Sequence, residues 1–103
     1  MRGDVHRVRF DGQGHEQQGE RYAVVVQETD LILSTTVVCP TSTSARSGIL
    51  HPTVAWDADG TVTQVLTEQV TAIDTRTLGP QVGYLLHDDM QRVSEALRIV
   101  LDL

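Results

Sequence analysis

Hydrophobic and polar residues alternate with a period of two over Val5 to Phe10, which puts His6, Val8 and Phe10 on one face and Val5, Arg7 and Arg9 on the other. That pattern predicts a half-exposed strand. Asp11 to Gly19 holds three glycines and no apolar residue and reads as a loop, whereas Tyr22 to Gln27 carries an unbroken apolar run and predicts a buried central strand. Thr35 to Cys39 predicts a third strand, expected to stop at Pro40 because proline has no N–H for a ladder, with the polar TSTSARSG loop beyond it. Thr53 to Trp56 and Thr61 to Leu66 flank Asp57-Ala58-Asp59-Gly60, whose Asp-Gly pair marks a hairpin turn, so these two strands are expected to pair. Gln69 to Asp74 and Gln81 to Leu85 predict further strands, separated by a helical turn over Thr75 to Leu78 that Gly79-Pro80 ends. The period then changes. Met90, Val93, Leu97, Val100 and Leu101 recur every three or four residues and Asp88 with Gln91 fits a capping box, so Asp89 to Leu101 predicts an amphipathic helix. Short strands joined by turns, closed by one helix, predict a mainly β fold: a small barrel with a C-terminal amphipathic helix, a single domain over residues 1–103.

Composition narrows the core. Hydrophobic residues make up 40% of the 103 and aromatics 4%, so the core is expected to be aliphatic and no large aromatic platform is expected. Apolar runs are too short to cross a membrane and no signal sequence is visible, which makes the cytoplasm the expected location and a membrane partner unexpected. The lone Cys39 lies in an apolar run and reads as a buried small hydrophobe. A net charge of −6 argues against a broad basic nucleic-acid surface, but residues 1–51 hold five arginines against six acidic residues, so most of the acid excess lies in the second half. Every basic residue is arginine, which binds phosphate through a planar fork; the absence of lysine excludes Schiff-base and P-loop chemistry.

Candidate chemistry gathers in Gly14 to Val26, GHEQQGERYAVVV, where a wet loop runs into an apolar strand. His6, His15, His51, His87 and Cys39 show no metal-ligand spacing, and no strained nucleophile turn of the GxSxG type is present, so neither a metal site nor a serine hydrolase is expected. What remains is an arginine, hydroxyls and amides near strand ends, a set suited to gripping an oxyanion. RNA supplies its own nucleophile in the 2′-hydroxyl, and a protein that stabilises the phosphorane and handles two protons suffices. Taken singly, Arg21 reads more readily as a surface or salt-bridged arginine, Thr41 and Ser42 as turn residues bonded to their own backbone, His15 as a solvated loop residue, and Glu68 and Gln69 as rim positions.

Several collinear motifs resemble the MazF/PemK family of toxin endoribonucleases. Arg2-Gly3-Asp4-Val5 is similar to that family's RGE/RGD start, Gly14 to Val26 to GxEQxGxRPxVV, and Val38 to Ser42 to V-x-P-T-S. Glu68-Gln69-Val70-Thr71-Ala72-Ile73-Asp74 resembles the family's [DE]-Q-[IV]-x-x-[IL]-D strand, and Leu86 to Leu103 its closing helix. The resemblance implies an SH3-like barrel of the CcdB/MazF kind, assembled as a homodimer. It implies a toxin that cuts single-stranded RNA without metal or other cofactor, leaving a 2′,3′-cyclic phosphate and a 5′-hydroxyl, and a cognate antitoxin whose disordered acidic tail occupies the RNA groove. It assigns Arg21 and Thr41 as catalytic, and His15, Gln17, Ser42 and Gln69 to substrate binding. Tyr22 replaces the family's proline after the arginine, His6 a common aromatic, and Leu66 an arginine that some members use as a general acid. Two alternatives share the fold: a CcdB-like gyrase poison without enzymatic activity, and an RNA-binding relative that has lost cleavage.

Overall fold

The computed structural model describes residues 1–16, 18–56, 60 and 62–103. Seven strands, β1 (Asp4–Asp11), β2 (Gln18–Val25), β3 (Thr35–Ser42), β4 (Thr53–Ala55), β5 (Val62–Val65), β6 (Thr71–Asp74) and β7 (Gln81–Tyr84), precede one helix, α1 (His87–Leu101). Every pairing is antiparallel, in the order β4-β5-β3-β2-β1-β7, with β6 also paired to β3. The sheet curls into a half-barrel and α1 packs on it, as the strand and helix periods predicted.

The pivot is β3. Along one edge it pairs with β2 at Val38 to Pro40; elsewhere it pairs with β6 over Thr35 to Val38 and with β5 over Thr41 and Ser42. Pro40 therefore does not stop the strand. It falls between the β6 and β5 ladders, where its missing N–H costs no ladder bond, while its carbonyl accepts from the Leu66 N–H at 2.9 Å. The extra residues bring Thr41 and Ser42 into the sheet.

Two apolar clusters follow from the register. Val24 lies opposite both Val5 and Cys39, and all three are fully buried, packed with Val54 and Val65 against Val93 and Leu97 of α1. Val5 shares its strand face with Arg7 and Arg9, but only its end of the strand is covered. The other parity gathers Val8, Phe10, Ala23, Val25 and Val38, with Ile73 and Leu78 packed against them. Burying one such valine contributes roughly 1.5–3 kcal/mol, so a mostly aliphatic core, with Phe10 as its one buried ring among the described residues, holds the barrel. Arg2 crosses between elements, its guanidinium donating to the Val26 carbonyl and to Ser94 Oγ of α1.

Some boundaries differ from expectation. β2 begins at Gln18, inside the expected loop, because β1 continues to Asp11 and supplies Gly19 and Gln18 with ladder partners. Thr67–Gln69 is a 3-10 turn rather than the start of β6, and a second 3-10 turn spans Thr75–Thr77 as expected. The expected β4–β5 pairing is present, Val54 opposite Thr63; positions 57–59 of its turn, and Thr61, lie outside the described residues. α1 starts at His87, two residues early, so Asp88 sits within the first turn and the capping box does not form; Leu86 is the N-cap and makes no side-chain cap bond. Both Asp88 and Asp89 still face the positive end of the helix dipole. The buried stripe of α1 is Val93, Ala96 and Leu97, whereas Leu101 stands 49% exposed at the end of the helix, beyond the sheet.

Candidate functional site

β2 carries its apolar half, Ala23 to Val25, into the core and leaves its first half exposed at the sheet margin, where it meets the end of β3. Between them opens a cleft of about 600 Å³ lined by Arg7, Glu20, Arg21, Tyr22, Thr41 and Ser42, with Thr43, Ser44, Trp56 and Thr63 completing its wall. Arg21 and Thr41 thus reach one cavity from different strands. Thr41, 4% exposed, donates its hydroxyl to the Tyr22 carbonyl at 3.0 Å, which fixes its rotamer and leaves oxygen lone pairs for another donor. Ser42 Oγ accepts the Ser44 and Ala45 N–H groups at 3.3 and 3.1 Å, holding the following loop to the strand end. Arg21 Nη1 donates to the Glu20 carbonyl at 3.1 Å.

His15 and Gln69 lie apart from this cleft. Gln69 lines a second depression of about 540 Å³, with Arg9, Gly12, Glu16 and Glu68 among its neighbours. Gln69 Nε2 donates to the His15 carbonyl at 2.9 Å, so it is the His15 backbone that Gln69 engages, tying the β1–β2 loop to the 3-10 turn. Gln17 lies outside the described residues. Pro40 lines the second depression and Thr41 the first, so β3 is the wall between them.

Three cleft residues outside the expected site make ring and ion contacts there. Arg7 pairs with Glu20 at 2.6 Å and its guanidinium lies 5.9 Å from the centroid of the Tyr22 ring. Tyr22 meets Trp56 with ring centroids 4.8 Å apart and planes tilted by 57°. Half of the chain's four aromatic residues therefore meet at one cleft. No large platform was expected, and the pair is two tilted rings: composition counts rings, whereas the fold places two of the four side by side. The signal in the sequence was Tyr22 standing directly after Arg21 where the family has proline.

Burial pushes the Cys39 thiol up to about 12, with the Glu68 carboxylate adding to the rise and Arg2 opposing it, so Cys39 is an inert core residue. The Arg76 guanidinium bonded to Asp74 holds that exposed carboxyl below its ordinary value. Among the described residues no three His, Cys, Asp or Glu side chains converge as metal ligands, and no helix is long and apolar enough to cross a membrane.

Residues 1–101 match the model of the PemK-like, MazF-like toxins of type II toxin-antitoxin systems. The chain is 39% identical over 106 aligned residues to a Mycobacterium tuberculosis protein named "Putative toxin", covering 100% of this chain and 98% of that protein. Among solved structures it resembles MazF of Deinococcus radiodurans, with a TM-score of 0.83 at 23% identity over 99% of this chain and 96% of that one. Toxin MazF-mt6 of Mycobacterium tuberculosis gives 0.81 at 21% identity over 97% of each chain. An endoribonuclease in complex with its cognate antitoxin, from a Mycobacterial species, gives 0.79 at 19% identity over 100% of this chain and 95% of that one. These structural likenesses establish the fold, and the family match over nearly the whole length establishes the family: the chain belongs to the PemK-like, MazF-like toxins of type II toxin-antitoxin systems.

Proposed function

We propose that this toxin is an endoribonuclease that cleaves single-stranded RNA without a metal ion. The observation that carries the proposal is the convergence on one cleft of Arg21 from β2 with Thr41 and Ser42 from β3. In this mechanism the 2′-hydroxyl attacks the adjacent phosphorus, the bond to the 5′-oxygen breaks, and the products carry a 2′,3′-cyclic phosphate and a 5′-hydroxyl. Arg21 meets the charge that builds on the non-bridging oxygens; Thr41 adds a hydrogen bond once its hydroxyl turns from the Tyr22 carbonyl. Leu66 is 3% exposed in the core and offers no proton. Guanidinium gives up protons poorly, so Arg21 is assigned to charge stabilisation. Ser42 is assigned to the phosphate, Gln69 extends RNA contact into the second depression with His15 bonded to it through its carbonyl, and the resemblance assigns Gln17 to substrate binding as well.

Because the nucleophile belongs to the substrate, cleavage of mixed RNA by the purified protein is expected to survive excess EDTA and to yield cyclic-phosphate ends. Activity lost in EDTA and restored by Mg²⁺ would overturn this mechanism. Intact RNA with inhibited gyrase would favour the CcdB-like reading, and RNA bound but uncut would favour a relative that has lost cleavage.

Two partners accompany the proposal. A cleft that attracts phosphate also attracts carboxylates, so a cognate antitoxin with a disordered acidic tail is expected to occupy it and exclude RNA. The second partner is another copy of the chain: an apolar groove of about 480 Å³ runs past Val37, Leu31, Leu33, Leu101 and Leu103, of which Leu31, Leu33 and Leu103 are each more than half exposed. Pairing that covers such surface stabilises a small barrel. A homodimer is expected in sedimentation equilibrium, and a monomer at every concentration would refute it. RNA and antitoxin together place the toxin's action in the cytoplasm.

A further inference from the structure

We propose that Tyr22 and Trp56 form a nucleobase-stacking subsite that holds the base of a nucleotide flanking the cut phosphate. The proposal rests on the endoribonuclease reading above and adds a specificity-determining pair to it. Their planes are tilted by 57°, so the rings do not lie face on face and form a notch that retains π surface. Tyr22 is 38% exposed at the cleft. Its ring is already approached by a flat cation, the Arg7 guanidinium, whose other contact is the Glu20 carboxylate. A nucleotide satisfies the same two groups, its base lying on the ring and its phosphate replacing the carboxylate on Arg7.

Position relative to the reacting centre follows from a backbone bond. The Tyr22 carbonyl accepts the Thr41 hydroxyl at 3.0 Å, so the ring and that hydroxyl belong to one local unit and the stacked base lies next to the phosphate that Thr41 and Arg21 attend. Trp56 is held by fit: the space a Gly83 side chain would need is filled by its carbonyl oxygen and its ring. Its indole Nε1 is buried and meets no acceptor among the described residues. The ring is thus fixed as a wall by packing and not by a hydrogen bond.

The test uses the full-length protein and an RNA containing the cleavage sequence mapped on mixed RNA, with a 2′-deoxy residue at the cut to block cleavage. An abasic residue is placed in turn at each position flanking the cut, and binding is read by anisotropy. At one flanking position loss of the base is expected to weaken binding roughly 5- to 150-fold, the range of a base–aromatic stack. Tyr22→Leu is expected to weaken the intact RNA by a similar factor and to abolish the abasic penalty at that position alone, while Tyr22→Phe keeps both. A Tyr22→Leu protein that binds normally, or binds weakly with the abasic penalty unchanged, overturns the subsite. Trp56 is the only tryptophan, so its fluorescence reports directly even if Tyr22→Leu does not fold. Intact RNA is expected to quench it more than the abasic RNA, and equal quenching refutes the stack. Wild-type protein that neither binds nor cuts RNA refutes the endoribonuclease reading itself, whereas cutting that ignores flanking bases refutes only the subsite.

Discussion

Arg21→Ala is expected to lower single-turnover cleavage of a short RNA by roughly 10² or more while weakening its binding much less. The reason is where charge appears. A ground-state phosphodiester carries one negative charge and the phosphorane carries more, so a guanidinium aimed at the phosphorus contributes most at the transition state. Arg21 stands on the exposed half of β2, at the cleft that Thr41 also lines, with one nitrogen bonded to the Glu20 carbonyl. Arg21→Lys is expected to recover only part of the rate, because a point charge cannot meet two oxygens as the planar fork does. Thr41→Val keeps the shape and removes the hydroxyl. It also leaves the Tyr22 carbonyl without that donor, at a cost to stability of about 1–3 kcal/mol, so its melting temperature is measured beside its rate. A rate defect with affinity kept marks a transition-state contact, and an affinity defect alone marks a groove residue. Unchanged cleavage by Arg21→Ala would remove the centre of the mechanism and leave the barrel as a binding module.

Legibility tracked how local the deciding physics is. The period-two pattern of β1, the apolar run of β2 and the change of period at α1 are set within a few residues, and all three elements form there with shifted ends, β2 running from Gln18 to Val25 and α1 starting at His87. Pro40 misled because its effect depends on which neighbour its nitrogen faces, and that is known only once β6 and β5 are seen to share β3. Val5 was hidden for a similar reason: alternation puts it with two arginines, and only α1 docking over one end of β1 decides that it is buried. The end of α1 shows the reverse, since Leu101 continues the helical stripe past the surface the stripe was meant to cover.

The cleft divided along the same line. Arg21, Thr41 and Ser42 each sit in a contiguous motif, and all three line one cleft. His15 and Gln69 also sit in motifs, yet they meet through a main-chain bond on the other side of β3. Arg7 and Trp56 belong to no motif. They enter the cleft through strand register: Arg7 lies opposite Tyr22 across the β1–β2 ladder, and Trp56 follows directly on β4. Pair contacts across a sheet depend on registers that one sequence does not print.

The strongest structural consequence of that register falls on Gly83, where Gly83→Ala is expected to lower stability by about 3 kcal/mol or more, the upper end of overpacking costs. Gly83 lies in β7 opposite Val5, a fully buried core residue. A Cβ on Gly83 would stand 2.3 Å from the Trp56 carbonyl oxygen and 2.9 Å from its ring. The nearest atom is backbone, which cannot rotate away, so β7 must leave β1 or Trp56 must leave the cleft wall. For a domain this size the loss corresponds to roughly 10–25 °C in melting temperature, read by thermal denaturation. Gly48→Ala is the control, because nothing lies within 4 Å of its Cβ and its backbone is unstrained; it is expected to stay within about 0.5 kcal/mol of wild type. The same variant reports on function. If Trp56 yields rather than β7, its fluorescence shifts as the indole meets water, and RNA binding falls by the factor that Tyr22→Leu produces, because both changes open one notch. If β7 yields, stability falls while the surviving folded fraction binds normally. A Gly83→Ala protein that melts with the wild type would mean that β7 and Trp56 do not touch, and the cleft would lose the wall on which the stacking subsite is built.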